Sequence, residues 1–478
     1  MSRPNILLIT TDQQRFDTIN ALGNQHIYTP HLNWLVDQGI TFTRCYADSP
    51  ICMPSRATIM TGKHGYTTGL VGNNEDKKPM AEHHTLPGIL TRNGYQTRAQ
   101  GKMHFSPMRA NYGFEHMELP MDYYRERNRN AQLGLPKAHG LGENEIEPVI
   151  STVDETDSLT YWTVKRSIDF LETRDDTRPF FLWTSFTKPH TPFDPCANYW
   201  NLYRDREVPD PIYGDWSQRL EDIPQGFLYP TYMLNNAYRL SLEQMRDVKR
   251  AYYACITQID YSLGLLFARM REMGLLENTW IIFTSDHGDM MGDHHMGAKS
   301  VFLEGSAHIP LIIRPPHGSW EIHPMSGKKC DRISNLADIM PTILGIAGIE
   351  IPKDVDGINL ISQVEKPTEN RVFYGNCDNR YFAVIEEDYK YMWTPLGGGE
   401  LLFNIKEDPY EQRNLINDSK EQDKLQAIRK RLIEFLEKQD IGLVKDGQLN
   451  PQAAPKGPEE VPKWPGFHST VVPTDVLH

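Results

Sequence analysis

Three stretches far apart in this 478-residue chain are apolar almost without a break: Asn5-Ile6-Leu7-Leu8-Ile9-Thr10, Pro179-Phe180-Phe181-Leu182-Trp183-Thr184-Ser185-Phe186 and Trp280-Ile281-Ile282-Phe283-Thr284-Ser285. A strand with one face in water alternates apolar and polar residues. An unbroken run is instead the pattern of a strand covered on both faces, as in the parallel sheets of α/β folds. Each run stops at a polar cluster: Thr11-Asp12-Gln13, Thr187-Lys188-Pro189-His190 and Asp286-His287-Gly288. Ligands in open α/β sheets bind beyond the carboxyl ends of the strands, so these clusters are predicted to meet at one sheet edge.

Helical segments separate the runs. Thr29-Pro30 opens one, with Leu32, Leu35 and Val36 on a common face; a second spans 86–93, ended by Gly94, and a strand follows from Tyr95. Ser241 caps a long helix reaching about Met273, with Gly274 as its stop. Residues 107–160 and 196–235 are rich in Pro, Tyr, Arg and Asn without periodicity, and read as long loops that shape a site or as disorder. After Ile351-Pro352 short antiparallel strands are predicted over 372–374, 381–385 and 389–393, with 401–404 as a fourth, then a helix over 419–439 and a Pro-rich tail. The predicted organisation is a large α/β domain (1–360) with a central, mostly parallel sheet flanked by helices. A smaller C-terminal α+β domain with an antiparallel sheet (361–445) and a tail (446–478) complete it.

Lys and Arg number 50 against 63 Asp and Glu, a formal net charge of −13. That balance argues against non-specific nucleic-acid binding, and it repels anions at long range, so a site for an anionic substrate must be locally basic. No apolar run approaches the roughly 20 residues of a membrane span, and Met1-Ser2-Arg3-Pro4 leads into the first strand with no signal-peptide pattern. The expectation is a cytoplasmic protein as the chain stands, or a periplasmic or secreted one if a leader has been removed. Cysteines at 45, 52, 196, 255, 330 and 377 have neither zinc-like nor disulfide-framework spacing, and leave the compartment open. Oligomeric state is not legible.

An Asp at a strand end is ordinarily a turn former or a helix cap. Asp12 follows a fully buried strand, however, and Asp286-His287 repeats the arrangement at another. Two carboxylates at one edge repel unless a cation lies between them, and hard oxygen donors point to Ca²⁺, with Mg²⁺ the alternative, rather than to zinc. Basic residues gather in the same places: Lys102 and His104 in Gly101-Lys102-Met103-His104, His190 after Lys188-Pro189, and Lys299 after Asp293-His294-His295. Singly such residues are usually solvated; jointly they describe an anion site. Cys52-Met53-Pro54-Ser55-Arg56 supplies a candidate nucleophile. An unpaired cysteine is often a small core residue, but with a rigid proline two places on and an arginine four places on it can present a reactive group beside a fixed cation.

The pentapeptide resembles the modification signature of the type I sulfatases of the alkaline phosphatase-like superfamily. The resemblance runs through 101–104, 188–190 and 285–288 over nearly the whole chain. It implies that a formylglycine-generating maturase oxidises Cys52 to formylglycine (3-oxoalanine), and that Asp12, Gln13, Asp286, His287 and the Cys52-derived group surround the metal. Gln13 stands where many relatives place a second aspartate, His287 where many carry asparagine, and Met53 where a small residue is usual. The first two changes lower the ligand charge. Arg56 would steady the aldehyde hydrate. Lys102, His104, His190 and Lys299 would contact sulfate or the leaving oxygen, with His190 or Lys299 as the acid. The hydrate attacks sulfur with one hydroxyl, and loss of a proton from the other then expels sulfate.

The implied substrates are sulfated small molecules or oligosaccharides, as in glycosaminoglycan or other polysaccharide degradation. Tyr123, Tyr124, Arg125, Arg127 and Arg129 are candidates to hold an anionic sugar. Two other functions fit the same residues: a phosphonate monoester or phosphodiester hydrolase, and a non-catalytic binder of sulfated glycans whose cysteine is never modified.

Overall fold

The computed structural model describes residues 3–129, 138–228, 237–318, 321–365 and 371–454. Alternate residues of the first strand, β1 (Asn5–Asp12), set the layering: Ile6 and Leu8 enter one apolar core, Leu7 and Ile9 another on the opposite face. With β2 (Ile40–Phe42), β3 (Gln96–Gly101), β4 (His116–Glu118), β5 (Phe180–Pro189), β6 (Thr279–Ser285), β7 (Leu311–Arg314) and β8 (Lys328–Cys330) it forms an eight-stranded sheet in the order β8-β2-β7-β6-β1-β5-β3-β4. The strands β6, β1, β5, β3 and β4 are mutually parallel, whereas β7 runs antiparallel between β2 and β6. Register aligns Thr10 with Ser185, Gly101 with Ser185 and Thr11 with Ser285. The carboxyl ends of four neighbouring strands therefore deliver Asp12, Lys102, Lys188 to His190, and Asp286 to one edge, as the apolar runs predict.

Helices cover both faces. On the Leu7 and Ile9 side lie α1 (Pro30–Gln38), α4 (Leu159–Thr173) and α5 (Leu242–Glu272); on the Ile6 and Leu8 side lie α2 (Cys52–Thr61), α3 (Leu86–Arg92) and α6 (Ile339–Ile346). Each fully buried Leu or Ile in these layers contributes about 1.5–3 kcal/mol. The start of α5 is set by a capping box, in which Ser241 Oγ accepts the Gln244 N–H at 3.3 Å and Gln244 Oε1 accepts the Ser241 N–H at 2.9 Å.

The C-terminal sheet consists of β9 (Phe373–Cys377), β10 (Tyr381–Glu386), β11 (Tyr389–Trp393) and β12 (Glu400–Asn404), antiparallel and in chain order. Ala383, Met392 and Phe403 on one face pack with Tyr46, Ile51 and Phe302 of the large domain, and the other face lies under α7 (Gln422–Gln439) through Leu425, Ile428, Leu432 and Phe435. This helix starts three residues later than predicted, because the Glu421 N–H closes a turn on the Asp418 carbonyl at 3.1 Å. Leu360, Ile361 and Val364 still pack on the large-domain core, and Val444 and Leu449 join the core under α7. The aperiodic stretch 107–160 holds β4 and a short helix, Pro120–Arg129; residues 229–236 and 455–478 lie outside the described residues. Among the described residues no helix is long and apolar enough to cross a membrane.

Candidate active site

Cys52 is the first residue of α2, behind an extended Ile51, so its side chain sits at the positive end of a helix dipole. Pro54 is tolerated because it lies in the first turn. Met53, Ala57, Ile59 and Met60 bury in the core and fix the helix rigidly beneath the sheet edge. Arg56 lies one turn after Cys52 and therefore shares its face.

The Arg56 guanidinium organises the acids. Its Nε donates to Asp286 Oδ2 at 3.0 Å, Nη2 lies 3.0 Å from both Asp12 Oδ2 and Asp286 Oδ2, and Nη1 donates to Ser185 Oγ at 2.8 Å and to the Lys102 carbonyl. Lys102 Nζ is 2.7 Å from Asp12 Oδ2. Asp286 Oδ1 accepts the backbone N–H groups of Gln13 and His287 at 3.0 and 2.9 Å. His287 donates from Nδ1 to the Gly288 carbonyl at 2.9 Å, which directs Nε2 into the site. Asp12 Oδ1, His287 Nε2 and Cys52 Sγ remain facing one another. The sulfur is 3.8 Å from the carboxylate oxygen and 3.3 Å from the ring nitrogen, and those two are 3.8 Å apart.

Ligand atoms of Asp12, Cys52, Asp286 and His287 all lie within 4.8 Å of one another, and all four residues are buried. Two carboxylates, an imidazole lone pair and a thiol-derived group, with three of their donor atoms left facing a common centre, fit a divalent cation. Gln13 enters differently: its Oε1 accepts a hydrogen bond from Lys299 Nζ at 2.8 Å and its Nε2 donates to Asp289. Lys299 Nζ also stands 3.3 Å from Cys52 Sγ. His190 and His104 line the same cavity as Lys102, at the edge where Cys52 sits. His190 directs Nδ1 to the Thr191 carbonyl at 2.9 Å, and His104 Nδ1 is buried with no hydrogen-bond partner among the described residues. The ten residues read from the sequence as catalytic or metal-binding thus converge on one site.

Electrostatics follows from that geometry. Burial alone would raise the Cys52 thiol, but Lys299, then Lys102 and His287, draw it well below the ordinary range. Asp12 is held low against burial and the Cys52 group by Lys102, His190 and Arg56, whereas Asp286 is raised, by burial first and by Asp12 second. The two carboxylates compete for the same cations, and a divalent ion would relieve that competition. Burial, then Lys299 and Lys102, lower His190 to about 4, so its ring is neutral at neutral pH.

Sequence reading missed Ser185 and Asp289. Ser185 Oγ accepts from Arg56 and from Thr10 Oγ1 at 2.9 Å and donates to the Lys102 carbonyl at 2.6 Å, and nothing distinguishes it from other small strand residues. Gly101 explains how Lys102 reaches the edge: at φ 95°, a Cβ there would lie 2.0 Å from the Ser185 carbonyl oxygen. Of the residues offered for sugar contact, Tyr123 and Tyr124 line a cavity of about 360 Å³ that continues from Lys102, His104 and His190. Arg127 serves that wall from behind, 2.8 Å from Asp157 and over the Tyr123 ring at 5.9 Å. The Arg129 side chain lies outside the described residues.

Comparison with known proteins identifies relatives of one family. The family model described as Sulfatase matches residues 4–349, and that described as N-sulphoglucosamine sulphohydrolase, C-terminal, matches 292–439. An arylsulfatase of Clostridium perfringens is 34% identical over 94% of this chain and 97% of its own length, and a choline-sulfatase of Rhizobium meliloti 29% over 86% and 82%. An N-acetylglucosamine-6-O-sulfatase of Bacteroides thetaiotaomicron is 26% identical over 91% and 87%. Among solved structures, the phosphonate monoester hydrolase of Agrobacterium radiobacter has a TM-score of 0.76 at 23% identity, covering 91% of this chain and 96% of its own, which speaks to the fold alone.

Proposed function

The chain belongs to the sulfatase family and is a sulfuric ester hydrolase, and from that premise we propose that it cleaves the sulfate ester of a sugar-sized alcohol, using formylglycine made from Cys52 by a maturase and a divalent cation held by Asp12, Asp286 and His287. The observation that carries this reading is the packing of residue 52 against Asp12 and His287, at 3.8 and 3.3 Å, inside a ring of basic side chains. When present, the cation and the hydrated aldehyde supply an acidified hydroxyl for attack at sulfur.

The remaining work falls to the chain's own side chains. Arg56 holds the Oδ2 atoms of both acids and thereby fixes which oxygens face the centre. Lys102, His104 and Lys299 are preplaced where negative charge grows on the sulfate and leaving oxygens, so they stabilise the transition state without reorganising. His190, neutral and with Nδ1–H committed to Thr191, has a lone pair on Nε2 and accepts a proton. Of the two candidate acids, Lys299 is the one whose Nζ points at residue 52, 3.3 Å from its sulfur, and so stands where the departing alkoxide takes up a proton. Calcium suits the oxygen donors best, and magnesium is the alternative.

The cavity beyond Lys102 and His104 bears on the alcohol. Tyr123 and Tyr124, with Phe105 and Met121, offer flat apolar surface of the kind on which a sugar ring stacks. The Bacteroides relative named for N-acetylglucosamine-6-O-sulfate is consistent with a sulfated carbohydrate.

Matched sulfate and phosphonate esters of one chromophore, assayed with protein made alongside an active maturase, test the function. Turnover of the sulfate is expected; turnover confined to the phosphonate would make it a phosphonate hydrolase of the same architecture. A Cys52 peptide that remains thiol in every molecule would favour a glycan binder.

A further inference from the structure

Asp289 is fully buried and takes no part in the chemistry above. Its oxygens have separate partners. Oδ1 accepts the backbone N–H groups of Met291 at 2.8 Å and Ala298 at 3.0 Å, closing the loop that leads into Lys299. Oδ2 accepts the side-chain N–H of Gln13. An amide whose nitrogen is claimed by a carboxylate must present its oxygen on the other side, and there Lys299 Nζ donates to Gln13 Oε1 at 2.8 Å while standing 3.3 Å from Cys52 Sγ.

We propose that Asp289 is a positioning residue for sulfate-ester hydrolysis: it sets the orientation of the Gln13 amide, and the amide oxygen in turn fixes Lys299 beside residue 52, within reach of the leaving oxygen. The inference rests on the function proposed above, in which Lys299 is the acid. It also accounts for glutamine at position 13, since a carboxylate there would face the Asp289 carboxylate across a buried gap.

Asp289→Asn tests the relay with little change in shape. The new side chain must still accept two backbone N–H groups through its oxygen, so its NH₂ faces Gln13. Two donors then meet, or Gln13 flips and turns its own NH₂ toward the Lys299 ammonium. Two buried donors facing each other are unfavourable, which drives the flip, and with the flip Lys299 loses its acceptor. Combining Asp289→Asn with Gln13→Glu moves the carboxylate one partner along: the asparagine donates to the glutamate, and the glutamate accepts from Lys299. Gln13→Met removes the acceptor and leaves the loop's backbone bonds untouched, so it serves if Asp289→Asn fails to fold.

The converted enzyme and its variants would be assayed on sulfates of good and poor leaving groups. A misplaced acid should cost kcat about tenfold or more on alkyl sulfates and stay within about threefold on nitrophenyl sulfate, with the double variant restored. Crystal structures should show Lys299 Nζ out of hydrogen-bond reach of residue 52 in each single variant and returned to it in the double. Equal losses on both kinds of sulfate, or a double variant as impaired as Asp289→Asn, would overturn the positioning role. Should the parent enzyme cleave no sulfate at all, the proposed function fails; the crystallographic comparison still decides the relay, because a Lys299 that keeps its place in Asp289→Asn would refute it.

Discussion

Lys390 on β11 is fully buried against the segment that carries Lys299. Its ammonium donates to Glu304 Oε1, to Glu411 Oε1 at 2.9 Å and to the Phe302 carbonyl at 2.9 Å. Glu304 also meets His308 through Oε2, and Glu411 Oε2 accepts the Glu304 N–H at 2.7 Å. Lys390→Met keeps the length of the stem and deletes the charge, leaving two buried carboxylates short of positive partners. Breaking a buried ionic cluster from one side costs about 3–5 kcal/mol while the orphaned groups stay ionised. Protonation offers them an escape, and that sets the pH dependence. Glu411 is already raised to about 7, by burial first and by Glu304, against the pull of Lys390. Glu304 is depressed, because Lys390 and His308 outweigh its burial. Without Lys390 both folded-state values move up. The folded variant then binds more protons near neutrality than the folded parent, and its stability relative to the parent falls as pH rises. The expected deficit is about 1–2 kcal/mol near pH 5.5, where lost hydrogen bonds dominate, growing to about 3–5 kcal/mol near pH 8.5. Denaturant unfolding at the two pH values, followed by tryptophan fluorescence with Trp393 in the affected sheet, measures this. A deficit independent of pH, or larger at the acid end, would refute the reasoning.

Cys52→Ser should accept one sulfate group and stall, because a serine ester lacks the second hydroxyl whose deprotonation expels sulfate; mass spectrometry of the active-site peptide would show it, and sustained turnover would reject the mechanism. Chelation should abolish turnover and lower thermal stability, with Ca²⁺ or Mg²⁺ restoring both; at a hundredfold excess over Kd the recovery is about 2.7 kcal/mol. An unchanged melting curve with and without chelator would speak against a bound cation. Gly101→Ala should be destabilised by more than about 3 kcal/mol, since both its φ of 95° and a Cβ 2.0 Å from the Ser185 oxygen forbid the side chain; a denaturation midpoint near that of the parent would show that the backbone yields there.

The central strands and their shared edge were legible because burial on both faces forces an unbroken apolar run, and α5 because its capping box is local. The Cys52 and Arg56 pairing was legible for the same reason, being a single-helix spacing. The antiparallel β7 was not, since Leu311-Ile312-Ile313 reads the same in either direction and only its neighbours decide. The pairing of Arg127 with Asp157 depends on a helix and a turn that meet only in the folded chain. Asp289 escaped notice for a related reason. It directly follows the strand-end cluster Asp286-His287-Gly288, but its importance comes from accepting bonds from residues 13, 291 and 298 at once.

The sheet edge does not make the site by itself. Strand ends deliver Asp12, Lys102, His190 and Asp286, but the nucleophile and Lys299 arrive on segments that no strand carries to the edge. Both segments are held by the C-terminal domain. The Asn376 N–H donates to the Asp48 carbonyl at 3.0 Å just ahead of α2, the Asp378 N–H to the Val71 carbonyl at 2.7 Å just beyond it, and Lys390 grips Phe302 and Glu304 just after Lys299. The C-terminal sheet therefore braces both segments, on which residue 52 and Lys299 stand 3.3 Å apart. Loosening that brace is why a substitution as remote as Lys390→Met is expected to slow turnover as well as to weaken the fold.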